Sequence, residues 1–325
     1  MIFRIDRLLF TGQGVRHADL LALLRSAALR GHSILVVEQA LGISTQDSGD
    51  IDQWAATLDT RLRAEVSWLR DRTRRIAHNS ATRGAVTIAV VLEELPDHPP
   101  SSYIAMRLPQ AIRLAAMPLL VLVENGLSDS AFIRRTMPPE WRAKLDEWEK
   151  LGTLRFEHGG GIGEMKRIVK HCSQEGAADP LGLGADAWRA SHALMSDRDS
   201  PNQDGGISAD VNALKRACDR AGMKERLHIL GRRDQESYLP QEALQMVVDT
   251  KTSAADRATM QGLLAQHFQL GPRCRHSSLP RLGDSSWFKN AFLEHAAADW
   301  QDSWFEADGS AHEMIELAEM LAALT

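Results

Sequence analysis

The chain has 325 residues, 44% hydrophobic and 25% charged, with a formal net charge of −5 at pH 7. That length and balance suit two domains, or one large domain with appendages, around a proper core, and they exclude a fibre or a disordered tail. The negative net charge excludes a protein that coats nucleic acid by bulk electrostatics, while leaving room for a local basic face. No apolar stretch reaches membrane length, and Asp6 interrupts what would be the apolar core of a signal peptide, so a cytoplasmic protein without a membrane segment is expected. Cys172, Cys218 and Cys274 show no CxxC pairing, which points to ordinary thiols rather than a disulfide framework or a zinc site.

In chain order, residues 1–112 read as a mainly helical region. "HADLLALLRSAALRG" places apolar residues at helical spacing with Gly31 as a stop, and "DIDQWAATLDTRLRAEVSWLRDRTRR" continues the period. "SILVVEQAL" and "AVTIAVVLEEL" fit either buried strands or helices. Arg61, Arg63, Arg70, Arg72, Arg74 and Arg75 cluster around Trp68; a solvated helix face is the favoured reading and a phosphate-binding face the lesser one. "PDHPPSS" at 96–102 is a breaker and a linker candidate.

From Met117 the pattern changes. The apolar run "MPLLVLVE" reads as a strand, followed by the helices "SDSAFIRR" and "EWRAKLDEWEKLG". "TLRFEH" reads as a second strand, stopped by "GGGIG" and followed by "EMKRIVKHC"; "SHALMSD" is a third; "RLHIL" is a fourth, between the helices "SADVNALKRACDRAG" and "PQEALQMVVD". Such alternation predicts an α/β domain with a parallel sheet over 113–250, and residues 251–325 are read as a helical C-terminal region. Ligands of such sheets bind beyond the carboxyl ends of the strands, where this sequence puts Glu124, the pair Asp197 and Asp199, and the run Arg232, Arg233 and Glu236. Carboxylates crowded at one edge repel unless a cation lies between them, and hard oxygen donors suit Mg²⁺ or Mn²⁺.

"VLVENGLSDSAF", a glycine run after the second strand, "DRD" and "RRDQESYLP" together resemble the topoisomerase-primase (TOPRIM) domain of OLD-family and related bacterial anti-phage nucleases, over roughly residues 117–245. The resemblance implies a Rossmann-like TOPRIM domain flanked by helical regions. It implies that Glu124, Asp197 and Asp199 are catalytic metal ligands holding Mg²⁺ or Mn²⁺, and that Glu236 is the late acidic residue of the OLD-like branch. Asp129 matches the acidic residue after the first glutamate, one position further along than the family pattern places it. Gly159, Gly160, Gly161 and Gly163 would shape the loop after the second strand, and Arg232, Arg233 or Arg198 would steady a scissile phosphate. The function implied is a metal-dependent nuclease acting on DNA or RNA, an anti-phage effector controlled by a partner. No GxxxxGK[ST] motif occurs, so any ATPase would be a separate chain.

Bland readings stand beside these. Asp129 can be a helix-start residue, His158 and His171 surface residues, and Trp287, Phe288, Trp300, Trp304 and Phe305 helix packing. A haloacid-dehalogenase-type phosphatase would carry its DxD after the first strand, a primase a zinc module, and a type I topoisomerase an attacking tyrosine, for which only Tyr103 and Tyr238 exist. The alternatives are a non-catalytic TOPRIM-like subunit that binds nucleic acid or a partner protein, with Lys251 the nearest candidate for a basic catalytic residue, and a receiver-like module that senses a phosphate ligand. The flanking regions are expected to bind partners or to form a homo-oligomer.

Overall fold

The computed structural model describes residues 1–12, 15–42, 48–79, 86–92, 103–174, 184–199, 206–249, 253–269, 291–295, 300–307 and 309–324. Among the described residues, eight strands form two four-stranded parallel sheets. The first contains β1 (Ile2–Asp6), β2 (Ser33–Val37), β3 (Thr87–Val91) and β4 (Ile104–Arg107) in the order β2-β1-β3-β4. The second contains β5 (Leu119–Val123), β6 (Leu154–His158), β7 (His192–Ser196) and β8 (Leu227–Ile229) in the order β6-β5-β7-β8.

The first sheet corrects the expectation of a mainly helical N-terminal region. Helices do lie there: α1 (Leu8–Thr11), α2 (His17–Leu29), α3 (Asp50–Ala56), α4 (Thr60–Asn79) and α5 (Leu108–Ala116). They flank a sheet that takes both ambiguous apolar runs as strands and the opening "IFRID" as one of its two inner strands. The physical reason is that strands covered on both faces lose the apolar-polar alternation that marks a strand in sequence. β1 even hides a charge: Arg4 is buried, its guanidinium donating to the Ala40 and Gly42 carbonyls and lying over the Tyr103 ring.

The second sheet follows the sequence closely. Within β5 the side chains alternate, Leu119, Val121 and Val123 facing one core and Leu122 the other. The Leu122 face is covered by α8 (Ile162–Cys172) and α10 (Ala209–Arg220), through Met165, Val169, Leu214 and Ala217, with Trp188 of α9 (Gly184–Ser191). The opposite face is covered by α6 (Gly126–Thr136), α7 (Pro139–Lys150), α11 (Gln241–Asp249) and the C-terminal helices α12 (Ala254–Gln269), α13 (Asp302–Ala307) and α14 (Ser310–Leu324), with a π-helical turn at Ala291–His295. The C-terminal helices therefore share one core with the second sheet. Trp300 and Phe305 are buried in it and Trp304 packs against it, so these three follow the packing reading; Trp287, Phe288, Cys274 and Lys251 lie outside the described residues. Burial pushes the Cys218 thiol up to about 12, in keeping with an inert core thiol. Among the described residues, no helix is long and apolar enough to cross a membrane.

Candidate functional site

In the second sheet the chain leaves β5 for β6 on one side and returns to β7 on the other. The carboxyl ends of β5 and β7 are therefore the point where the winding reverses, the usual ligand crevice of a parallel sheet. Glu124 directly follows β5 and Asp197 directly follows β7. The structure joins them: Glu124 Oε1 accepts from the Asp197 backbone N–H at 3.3 Å. Glu124 also accepts from the Ile162 N–H at the start of α8.

The glycine run fits closely between the end of β5 and the start of α8. Gly159 N–H donates to the Val123 carbonyl at 2.7 Å, and a Cβ at Gly159 would lie 2.5 Å from Met165 Cγ and 3.0 Å from that carbonyl. Gly160 and Gly161 turn the chain into α8 at φ 74° and 85°, a region that favours glycine. Gly163, inside α8, meets open space and needs no glycine for these reasons.

Asp129, in the first turn of α6, is buried, and its carboxylate is engaged on both oxygens. Oδ2 accepts from Asn125 N–H at 2.9 Å, while Oδ1 accepts from Ser128 Oγ at 3.0 Å and from the Gln235 side-chain amide. Asn125 caps α6 by accepting from Leu127 N–H at 3.2 Å. Asp199 is exposed and left-handed at φ 47°, a conformation aspartate tolerates better than most residues, and its N–H donates to the Arg233 carbonyl at 2.7 Å.

The segment after β8 brings further acids. Asp234, a buried residue that the sequence reading passed over, caps the 3₁₀ turn Gln235–Tyr238, its Oδ1 accepting from Ser237 N–H at 3.1 Å and Ser237 Oγ at 2.7 Å. An aspartate three positions before a serine is a local capping signature, so this residue was discoverable. Glu236 is half-buried in the same turn. Arg232, expected to steady a phosphate, is engaged within the protein. It is 6% exposed, donates to the Ser237 carbonyl at 3.0 Å and lies over the Tyr238 ring, so its charge is built into the turn. Arg233 Nε stands 3.6 Å from Asp234 Oδ2, and Arg198 is half-buried beside Asp197 in sequence.

The electrostatics are those of crowded acids. Burial pushes the Asp197 carboxyl well above the usual range, and the charges of Glu124, Asp234, Asp129 and Glu236 push it further. Burial also raises Glu124, against the Asp197 and Ile162 N–H groups and with the charges of Asp129 and Asp199; burial raises Asp129 against its own hydrogen bonds. The donor set is hard, anionic and mutually repelling, which fits a divalent cation in charge and chemistry. Among the described residues, however, no three His, Cys, Asp or Glu side chains converge as a ready-made metal cage. Mg²⁺ does not need one, since it commonly uses one or two carboxylates and completes its shell with water and substrate phosphate.

The arginine-rich helix α4 is largely tied into its own half. Arg70 pairs with Asp52, Arg63 donates to the Ala56 and Leu58 carbonyls, and Arg72 donates to the Ala28 carbonyl and lies over Trp68. No protein-family model, curated protein or solved structure matches the chain.

Proposed function

We propose that the protein is a metal-dependent nuclease of TOPRIM type, cleaving phosphodiester bonds of DNA or RNA. The observation that carries the reading is the hydrogen-bonded pairing of Glu124 with the Asp197 backbone at the winding reversal of a parallel sheet, where the charges of Asp234, Asp129 and Glu236 also bear on Asp197. Asp197 and Glu124 would hold a Mg²⁺ or Mn²⁺ ion, with Glu236 on the outer side of the same edge and water and substrate phosphate completing the shell; when bound, the ion supplies Lewis-acid polarisation of the phosphodiester. Glu124, its proton affinity raised, is suited to accept a proton from an attacking water, and the half-buried Arg198 and Arg233 are placed to steady the phosphate. Gly161, at the start of α8 with open space where a Cβ would stand, leaves room for a phosphate to approach that helix end. By the same resemblance the enzyme serves in the cytoplasm as an anti-phage effector, restrained by a partner protein until triggered.

A second reading, a binding subunit that does not cut, is favoured by the burial of Arg232 and by the lack of a preformed three-ligand cage among the described residues. Incubation with plasmid DNA, single-stranded DNA and tRNA, with Mg²⁺, Mn²⁺ or EDTA, separates the two. Cleavage in either metal, abolished by EDTA, is expected; tight binding with no cleavage under any condition supports the second reading.

A further inference from the structure

The turn that carries Asp234 and Glu236 is fastened to a helix distant in sequence. Glu313, in the first turn of α14, is half-buried and reaches the end of β8. Its Oε1 accepts from the Gly231 N–H at 2.6 Å, and the Tyr238 hydroxyl lies 2.7 Å from Oε1 and 2.6 Å from Oε2. The same hydroxyl accepts from the Arg232 N–H at 3.1 Å, so a single carboxylate ties down both ends of the 231–238 segment. The fit is tight: a Cβ on Gly231 would lie 2.9 Å from Glu313 Oε2. Tyr238 is fully buried, its ring edge-on to Phe132 of α6 with centroids 5.1 Å apart. On its other side the segment is tied to the site itself, Gln235 to the Asp129 carboxylate and the Arg233 carbonyl to Asp199 N–H.

We infer that Glu313 is a positioning residue for the carboxylate site: through Gly231 and Tyr238 it fixes the 231–238 segment, which hydrogen-bonds Asp129 through Gln235 and Asp199 through the Arg233 carbonyl, and thereby sets Asp234 and Glu236 at the site's edge for binding of a divalent cation. The inference rests on the metal-site reading given above. It gives the C-terminal helix, which contributes no strand to the sheet, a defined part in the site's function. The clamp is a hydrogen-bonded one. Burial pushes the Glu313 carboxyl up, but the nearby His228 imidazole, the Tyr238 hydroxyl and the Gly231 N–H together outweigh this and hold it below the usual carboxylate range, so it is an acceptor at neutral pH. Its value therefore lies in acceptor atoms at the correct reach, and side-chain length should matter more than charge.

The full-length chain and its E313A, E313D, E313Q and Y238F variants are titrated with Mn²⁺ by calorimetry, and amide hydrogen exchange is followed over residues 229–240. Circular dichroism melts confirm that each variant is folded at the titration temperature; Y238F keeps the buried ring and so reports even where E313A does not fold. E313A and Y238F are expected to weaken Mn²⁺ binding about tenfold and to speed exchange across 231–238, the loss typical of removing a partner that orients a metal ligand. E313Q, which keeps an acceptor at the same reach, is expected to restore affinity to within about threefold of wild type, while E313D, a methylene shorter, is not. A purely structural role would lower the melting temperature of these variants yet leave the Mn²⁺ affinity of the folded protein unchanged, and that result overturns the inference while the metal-site reading stands. Wild-type protein that binds no Mn²⁺ overturns the metal-site reading and the inference with it.

Discussion

The two halves of the molecule use the same scaffold and end it differently. In each, the chain builds a parallel sheet in the order second, first, third, fourth strand, so that the winding reverses beyond the first strand of each half. Beyond β1 stands Arg7, whose guanidinium bridges Glu38 at 2.6 Å and the buried Asp50 at 3.5 Å, so the acids at that edge have a cation supplied by the chain. Beyond β5 stands Glu124, which accepts from the Asp197 N–H, with the charges of Asp234, Asp129 and Glu236 bearing on Asp197 and Arg232 held inside a turn. One topology thus gives an edge where an arginine bridges two acids and an edge where buried acids raise one another's proton affinity; on the function proposed above, a divalent cation serves the second. The backbone supplies the crevice, while the residue after the strand decides its chemistry.

The comparison breaks most readily at Asp197. Replacement by asparagine is expected to lower cleavage by roughly 100-fold or more, equivalent to about 3 kcal/mol of transition-state stabilisation. The metal-free fold should become more stable at neutral pH at the same time, because a repelled, half-buried charge is gone. The site's contribution to the pH dependence has a definite sign. Asp197, Glu124 and Asp129 bind their protons more tightly folded than unfolded, so their part of the metal-free stability rises as pH falls from neutral toward their ordinary values of 3.8 and 4.5. The buried His32 imidazole and Met1 amino group are shifted down and withdraw stability as pH falls through the neutral range, and Glu313, Glu65 and Asp302, also shifted down, withdraw it in acid. The stability that Asp197→Asn gains over wild type without metal should therefore be largest near neutral pH and shrink as pH falls. A gain that does not change with pH contradicts this.

Glu236→Gln tests the outer part of the same edge. Mg²⁺-supported cleavage is expected to fall about tenfold, with partial recovery in Mn²⁺, which accepts less ideal ligands. Equal activity with Mg²⁺ removes Glu236 from the site and leaves it a turn residue.

The first edge offers the converse test. Arg7→Ala leaves Asp50 buried beside Glu38 without its guanidinium, so the melting temperature should drop, cleavage should be unaffected, and millimolar Mg²⁺ should recover part of the loss. A variant as stable as wild type would show that the two edges do not differ in the way described.

The smallest effect belongs to α4. Since several of its arginines are spent within the first half, reversing the charge of the exposed Arg61 should change nucleic-acid affinity by less than about twofold at any salt concentration. A flattened salt dependence would instead assign that face to the nucleic acid.

How much of this was legible in the sequence differs between the halves for a physical reason. β5, β7 and β8 could be placed because apolar runs ended in acids or arginines and the intervening helices carried clear periods. In the first half "IFRID" mixed two charges into a five-residue inner strand, one of them the buried Arg4, and no local pattern announces a charge satisfied by distant carbonyls. Glu124, Asp197 and Glu236 could be read as strand-end residues. The spent state of Arg232 could not, because it depends on a buried tyrosine ring, and Glu313 could not, because its partner Tyr238 lies 75 residues away. Asp234 was readable as a cap; that its charge also bears on Asp197 required the fold.

The most direct test of the difference between the two edges is an anomalous-scattering map from crystals grown with Mn²⁺. A peak beyond the carboxyl ends of β5 and β7, in contact with Glu124 and Asp197 and absent in Asp197→Asn, is the predicted result. A peak at Glu38 and Asp50 instead, or metal-dependent cleavage by a protein whose map is empty at Glu124 and Asp197, would contradict it.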